Sequence, residues 1–566
     1  MTWRAVTSLA LGLPLGTACS LALNLADPQP CAADAECVYT AGQGSCVDGF
    51  CQPPGSGNDT DGNTTTPPDT AGDVTDTAPD STGDTTVGEP TTTGAPACAL
   101  NSECLDDQRC SDAGQCVNLL SPECDIIQWP DDERDNVEFI GSIMPTSFIF
   151  EELVQPLENA HQLAVEDFND YAELQAGQKI AWVGCDSTGG ADVAEAAAIH
   201  LRDNVGAHAI VGPLFSEAAR QVAEEVTVDA DMFVISPTAS APSLSEFRDN
   251  NLFWRVTPND VFQANAIIDR MLVDLDPTPE RLLILHKDDA YGSELTGLIQ
   301  TDLFNGLPNV HVIPYPGPET FANEDDLIAG YQDIIAQAMI VDGIALSGAQ
   351  WMQPSDHFTD VLIIGTSEAE ALVGIYLQAF SNGGFLGLAP FPMITLSHGA
   401  VPTMADIVAE LHAVSPPSAG VIFPALRGTS PNIFDQENFE AFNIRYRLRF
   451  NEEDALTSSS LSYDAAMAAM FAMVTIPAEE RITGSGIAAG MASLNDPAGG
   501  TPISFGEPIA TFVPAARNAL AAGNTVDLRG VSGELDWNPD NGEIRADVLG
   551  WSLAGTTEMP LLNPNC

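Results

Sequence analysis

Ser216 follows an apolar run and a Gly-Pro turn in the text AHAIVGPLFSEAA and opens a segment with helical periodicity. A hydroxyl there, beside the unpaired N–H groups of a helix start, suits an anion, although it can equally serve as a helix cap. The loop Ser236-Pro237-Thr238-Ala239-Ser240-Ala241-Pro242 follows another apolar run, MFVIS, and offers further hydroxyls and N–H groups around Ser240. Asp260 lies just after Pro258 and is placed to cap the helix that begins there. Ser367 and Glu368 come directly after the run DVLIIG and can line the same wall. This collection suits holding a small polar molecule better than transforming one. No HExxH, GxSxG or GxxxxGK[ST] motif occurs, and the eight histidines are scattered, so an enzyme is not expected. No cofactor or metal site is indicated.

The elements that must carry these loops are short β-rich apolar runs alternating with helical periodicity from about residue 136 onward. VEFIGSIMP (Val137 to Pro145) reads as a strand, and Leu157, Ala160, Leu163, Ala164, Phe168 and Tyr171 then recur at helical spacing. IAWVG, a helix over 191–202, AHAIVGP, a helix over 216–228 and MFVIS continue the series. A second series comes after Pro258, with strands at RLLILH, DVLIIG, PMITLS and AGVIFP and a helix from Tyr291. Two βαβ series predict an α/β fold of two Rossmann-like lobes with a hinge. Ligands of such sheets bind outside the strand carboxyl ends, which places a site in the interlobe cleft.

The N-terminal quarter is built differently. Residues 1–19 read MTWRAVTSLALGLPLGTAC, a charged start, an apolar run and small residues before a cysteine, which is an export signal. Leu15 to Cys19 resembles a bacterial lipobox, with lipid carried on Cys19, although Gly16 stands where the apolar residue is usual; plain secretion is the alternative. Ser20 comes next, which resembles sorting patterns for the outer membrane. No later stretch has the about eighteen uninterrupted apolar residues of a membrane helix, so attachment to a membrane is expected through lipid alone.

Ten of the twelve cysteines precede residue 125. Cys31, Cys37, Cys46 and Cys51 (unit one, 20–52) and Cys98, Cys104, Cys110 and Cys116 (unit two, 98–124) look like copies of one small module with too few apolar residues for a core. Disulfides within each unit are expected, metal binding being the alternative, and sequence does not choose among the pairings. Cys124 and Cys566 flank the large domain and are expected to pair, leaving Cys185 buried and free. Between the units, 53–97 is Thr-, Asp-, Gly- and Pro-rich, with eight acidic and no basic residues from Gln52 to Ala97, and is expected to be a disordered, charge-extended spacer. Over the whole 566 residues, 80 acidic against 19 basic residues give a formal charge of −61, and the lysines are Lys179 and Lys287 alone. Nucleic acid, which demands cationic surface, is excluded as a partner.

The ordered texts VGPLFSEAA, MFVISPTASAP, LFWRVTPNDVFQANA and LILHKDDAYGSEL, then SYDAAMAAM and GELDWNPDNGE, resemble the type I periplasmic binding family in its leucine/isoleucine/valine-binding branch. The resemblance implies a ligand-binding domain over 137–555, with lobe one at about 137–257 and 424–530 and lobe two at about 258–423 and 531–555. It implies that Ser216, Thr238, Ala239 and Ser240 hold a ligand's carboxylate and ammonium on lobe one. It also implies that Asp260 stands near the cleft at the crossing and that Tyr291 lines lobe two. The chain departs from the branch at Ser397-His398-Gly399, where His398 replaces the carboxylate that pairs a ligand ammonium. It departs again at 341–360, where the chain is longer than usual. The function implied by the resemblance is that of an extracytoplasmic solute-binding lipoprotein for a small polar ligand, amino-acid-like or another carboxylate, delivered to an ABC permease. A surface sensor or interaction protein on the same fold is the alternative. Ser216→Ala and Ser240→Ala are expected to weaken binding without moving the thermal midpoint of the empty protein.

Overall fold

The computed structural model describes residues 97–130, 133–147, 150–272, 279–341, 358–382, 392–399, 425–431, 435–451, 454–556 and 559–565, with short strand segments at 21–22, 38–39, 42–43, 45–47 and 50–52. In unit one, Ser45–Val47 and Phe50–Gln52 form an antiparallel hairpin with Cys46 opposite Cys51. Cys19, Cys31, Cys37, most of the 53–97 spacer, much of 341–360 and the AGVIFP segment lie outside the described residues.

Unit two is a hairpin of β1 (Gln108–Cys110) and β2 (Cys116–Asn118), stapled by disulfides Cys98–Cys110 and Cys104–Cys116. It does not hang free. Arg109 Nε donates to Asn204 O at 2.6 Å, and His200 Nε2 lies 2.9 Å from Leu119 O. Arg134 donates to the carbonyls of Asn101, Leu105 and Gln108 and pairs Asp106 at 2.8 Å. These contacts make the unit part of lobe one.

The first sheet runs β8 (Phe253–Arg255), β7 (Phe233–Ser236), β6 (Ala209–Val211), β4 (Val137–Met144), β5 (Lys179–Asp186), β3 (Cys124–Gln128). All neighbours are parallel except β3, which lies antiparallel on β5. That register sets Cys124 opposite Cys185, and the two form a disulfide. The expected Cys124–Cys566 pair with a free Cys185 is therefore corrected: edge-strand pairing brings Cys124 to Cys185, and Cys566 lies outside the described residues.

Helix α1 (Glu151–Tyr171) buries Leu157, Ala160, Leu163, Ala164 and Phe168 as its spacing predicts, whereas Tyr171 at its last turn is 44% exposed. Helices α2 (Ala191–His200) and α3 (Ser216–Val222) cover the opposite face. The chain then crosses into α4 (Asp260–Leu272), β9 (Leu282–Lys287), α5 (Ala290–Gly306), β10 (Val310–Tyr315), α6 (Glu324–Val341), β11 (Asp360–Ile364), α7 (Ala369–Asn382), β12 (Met393–Leu396) and β13 (Leu426–Pro431). These strands form a second parallel sheet, ordered β13-β12-β11-β9-β10.

Four later helices return to lobe one: α8 (Gln436–Arg449), α9 (Ser459–Val474), α10 (Gly484–Met491) and α11 (Ile509–Ala521). Every residue of α9 is buried, because a helix rich in Ala, Ser and Met and apolar on all sides can sit only at the centre of a layer. After the pair β14 (Thr501–Ser504) and β15 (Val526–Arg529), the hairpin β16 (Trp537–Asn538) and β17 (Glu543–Ile544) still packs on lobe one, with Trp537 Nε1 donating to Arg255 O at 2.9 Å. The last strands, β18 (Val548–Thr556) and β19 (Met559–Asn565), then join lobe two antiparallel to β13 and to each other.

Two lobe boundaries move accordingly. The return to lobe one falls after Pro431 rather than near 424, because β13 pairs with β12. The final crossing lies between Ile544 and Val548 rather than near 531, because Trp537 and Ile544 pack into the lobe-one core.

Candidate functional site

On the lobe-one side, Ser216 opens α3 and is buried. Its Oγ accepts the N–H groups of Ser240 and Ala241, each at 3.2 Å. Ser236 Oγ accepts from Ala239 N at 3.1 Å and donates to Pro213 O at 2.6 Å, while Thr238 Oγ1 donates to Leu214 O at 2.7 Å. The N–H groups of Ala239, Ser240 and Ala241 in the Ser240 loop are thus already taken by the protein's own hydroxyls. Ser216 holds the Ser240 loop in place, so Ser216→Ala leaves two buried N–H groups without acceptors, and the expectation of an unmoved thermal midpoint is revised.

Asp260 stands at the crossing, 1% exposed, and ties both lobes together. Ser240 Oγ donates to its Oδ2 at 3.0 Å, and Asp260 N donates to Ser240 O at 2.9 Å. Burial pushes its carboxyl up to about 7, against the downward pull of Ser240, Arg255 and Gln263. Gln263, one turn along α4, does not stand out in the sequence, yet it is the hub of the crossing. Its Nε2 donates to Asp260 Oδ1 at 2.9 Å and reaches Tyr291 Oη at 3.5 Å. Its Oε1 accepts from His398 N at 2.7 Å and Thr429 Oγ1 at 3.2 Å. The available signal is its i, i+3 spacing from Asp260 on one helix face.

Lobe two brings Tyr291 and His398 together edge to face, 5.5 Å between ring centroids. His398 Nδ1 is 3.9 Å from Asp260 Oδ1, beyond hydrogen-bond reach, and is buried without a hydrogen-bond partner. Burial lowers that imidazole to about 4, so it is neutral near pH 7. Ser367 Oγ is likewise buried and unpartnered. Glu368 turns inward instead of lining the wall: its carboxylate accepts from Tyr315 Oη at 2.9 Å, Thr366 N at 3.0 Å and Thr366 Oγ1 at 2.8 Å.

Lys287, one of only two lysines and also not prominent in the sequence, ends β9 with its ammonium 3.1 Å from Asp289 and 3.3 Å from Glu319. The same ammonium sits 4.6 Å from the centroid of Phe215 on lobe one, whose ring meets Phe150 at 5.2 Å. Burial works to lower its pKa, but Asp289, Glu319 and Glu368 outweigh that and hold it raised. Ser243 N donates across the cleft to Glu294 Oε2 at 2.9 Å. The lobes therefore meet along Lys287–Phe215 and Ser243–Glu294. Chemically the arrangement can bind and orient. Among the described residues no serine hydroxyl is hydrogen-bonded to the His398 ring.

Residues 139–320 match the family model described as "Periplasmic binding protein". No match is found among curated proteins. Among solved structures, a leucine-binding protein of Thermotoga maritima superposes with a TM-score of 0.52 at 16% identity, covering 76% of this chain and 99% of its own. A branched-chain amino-acid transporter substrate-binding protein of Streptococcus pneumoniae, in complex with isoleucine, gives 0.50 at 16% over 76% and 99%. A solute-binding protein of an ABC transporter from Rhodopseudomonas palustris, in complex with 3,4-dihydroxybenzoic acid, gives 0.52 at 12% over 76% and 96%. The fold is that of the type I periplasmic binding proteins, with a disulfide-stapled unit joined to lobe one. Among the described residues no helix is long and apolar enough to cross a membrane.

Proposed function

We propose that this chain is an extracytoplasmic solute-binding protein, not an enzyme, that captures a small polar molecule by closing its two lobes. The observation that carries this reading is the polar network running from the Ser216–Ser240 loop through Asp260 and Gln263 to Tyr291 and His398. Such a network gives a ligand touching both loops a better fit to the closed form than to the open one. Roughly 5.5 kcal/mol of preference carries a 1:99 equilibrium to 99:1. The matching family model and the substrate-binding neighbours support the same role, with delivery to an ABC permease.

The mature chain is further proposed to carry lipid on Cys19 at the outer membrane, with the acidic spacer as its tether. Fractionation of Cys19→Ala tests this, since a variant as membrane-bound as the parent overturns it. For capture itself, X-ray scattering of the full chain with and without a binding solute is expected to show a compacted binding domain. A solute that binds with no change in shape contradicts closure.

One feature favours a second reading, a surface sensor without a transporter. The disulfide-stapled unit docked on lobe one through Arg109 and His200 gives the domain a fixed handle beyond what capture requires. Uptake of labelled solute that is unchanged on deleting the gene decides for that reading.

A further inference from the structure

Resting on the cleft as a solute site, we infer that its ligand is an organic amine, a cation with an apolar or aromatic body, in place of the carboxylate-bearing ligand expected from the sequence. Three independent features of the walls converge on this.

The first is what the lobe-one loop no longer offers. The N–H groups of Ala239, Ser240 and Ala241 already donate to Ser236 Oγ and Ser216 Oγ. Arg255, the cation behind that loop, is engaged by Ala241 O, Ser245 and Glu543. A carboxylate arriving there finds no idle donor among these groups.

The second is the charge of the walls. Asp289, Glu294 and Glu319 stand around the cleft, with Glu368 just behind Ser367, while burial leaves Asp260 only partly ionised near pH 7. Lys287 is the one cation among these groups, and it is already clamped between Asp289 and Glu319. The excess is negative, which repels an anion and attracts a cation.

The third is the kind of polar atom left over. His398 Nδ1 and Ser367 Oγ are buried without hydrogen-bond partners. The loops bearing them touch, since a Cβ added at Gly399 would come within 2.6 Å of Gly365 O. A hydroxyl oxygen and an unprotonated imidazole nitrogen can both accept, and an ammonium brings three donors. The molecule also displays its own version of the contact: the Lys287 ammonium lies over the Phe215 ring between two carboxylates.

The test is titration calorimetry on the full chain with matched probes sharing one skeleton: isoamylamine, 4-methylpentanoate and leucine, then phenethylamine, 3-phenylpropanoate and phenylalanine. Each amine is expected to bind at least tenfold more tightly than its carboxylate, with the amino acid between. A carboxylate or amino acid that binds more tightly than its amine overturns the inference while leaving solute capture intact. If none of the six binds, native mass spectrometry of the purified protein decides. A co-purified amine supports the inference, a co-purified carboxylate or neutral molecule overturns it, and no small molecule at all counts against solute capture itself. Glu319→Gln is expected to cut the amine-to-carboxylate ratio several-fold, and an unchanged ratio removes the charge argument. Should that variant fail to fold, the six probes on the parent still decide.

Discussion

The two walls of the cleft solve the burial of polar groups in opposite ways. On lobe one, Ser216, Ser236 and Thr238 satisfy backbone groups of the neighbouring loop, so these hydroxyls are already engaged. Lobe two carries Lys287 between two carboxylates, the neutral His398 and the unpartnered Ser367. A wall already satisfied is a rigid platform, whereas one with idle acceptors and excess charge is where discrimination between ligands resides.

The sharpest way to break this contrast is to remove the charge at its centre. Lys287→Met leaves the largely buried Asp289 and Glu319 without their shared cation, and breaking a buried pair typically costs about 3–5 kcal/mol. Denaturant unfolding is expected to show that loss, and a variant within about 1 kcal/mol of the parent would mean that the cluster is better hydrated than its burial indicates.

Next in size is a pair of serines on opposite walls. Ser216→Ala leaves the Ser240 and Ala241 N–H groups without acceptors and is expected to destabilise the empty protein by about 1–3 kcal/mol. Ser367→Ala removes an oxygen that has no partner and is expected to leave stability within about 0.5 kcal/mol while weakening ligand binding. Equal effects of the two on the empty protein would erase the distinction between the walls.

The remaining prediction concerns Asp260, where the walls join. Its folded carboxyl lies near 7, above the usual value of about 3.9 for an unfolded aspartate. The folded state keeps a proton that the unfolded chain has released, so this group's contribution to stability is intact below about pH 4 and is lost as pH rises toward 7. Across pH 5 to 6 the loss is roughly 1 kcal/mol. Asp260→Asn is expected to flatten that part of the stability profile, and an unchanged slope would assign it to other buried carboxylates.

The alternation of elements was legible because parallel strands buried on both faces read as short apolar runs, as in KIAWVGCD and LLILHK, whose residues are almost all buried. The stapled unit was legible from cysteine density. The Cys124–Cys185 bond was not, since it depends on an edge strand whose pairing register no local pattern announces. The late lobe boundaries escaped for a related reason: β13 and the β16–β17 hairpin are assigned by the sheet or core they meet, not by their own composition. At the site, positions were readable but roles were not. Ser216, Ser240, Asp260, Tyr291 and His398 do converge through Gln263, yet whether a hydroxyl faces a ligand or a neighbouring amide is decided by loops far apart in the chain.

The most direct measurement is hydrogen exchange on the full chain, with and without the compound that binds most tightly among the matched probes or co-purifies with the protein. Capture between unlike walls requires slower exchange in the Ser236–Ala241 loop and in the Gly365–Glu368 and Ser397–Gly399 loops together, with the stapled unit at 98–119 unaffected. Protection confined to one wall, or appearing only in the stapled unit, would contradict it.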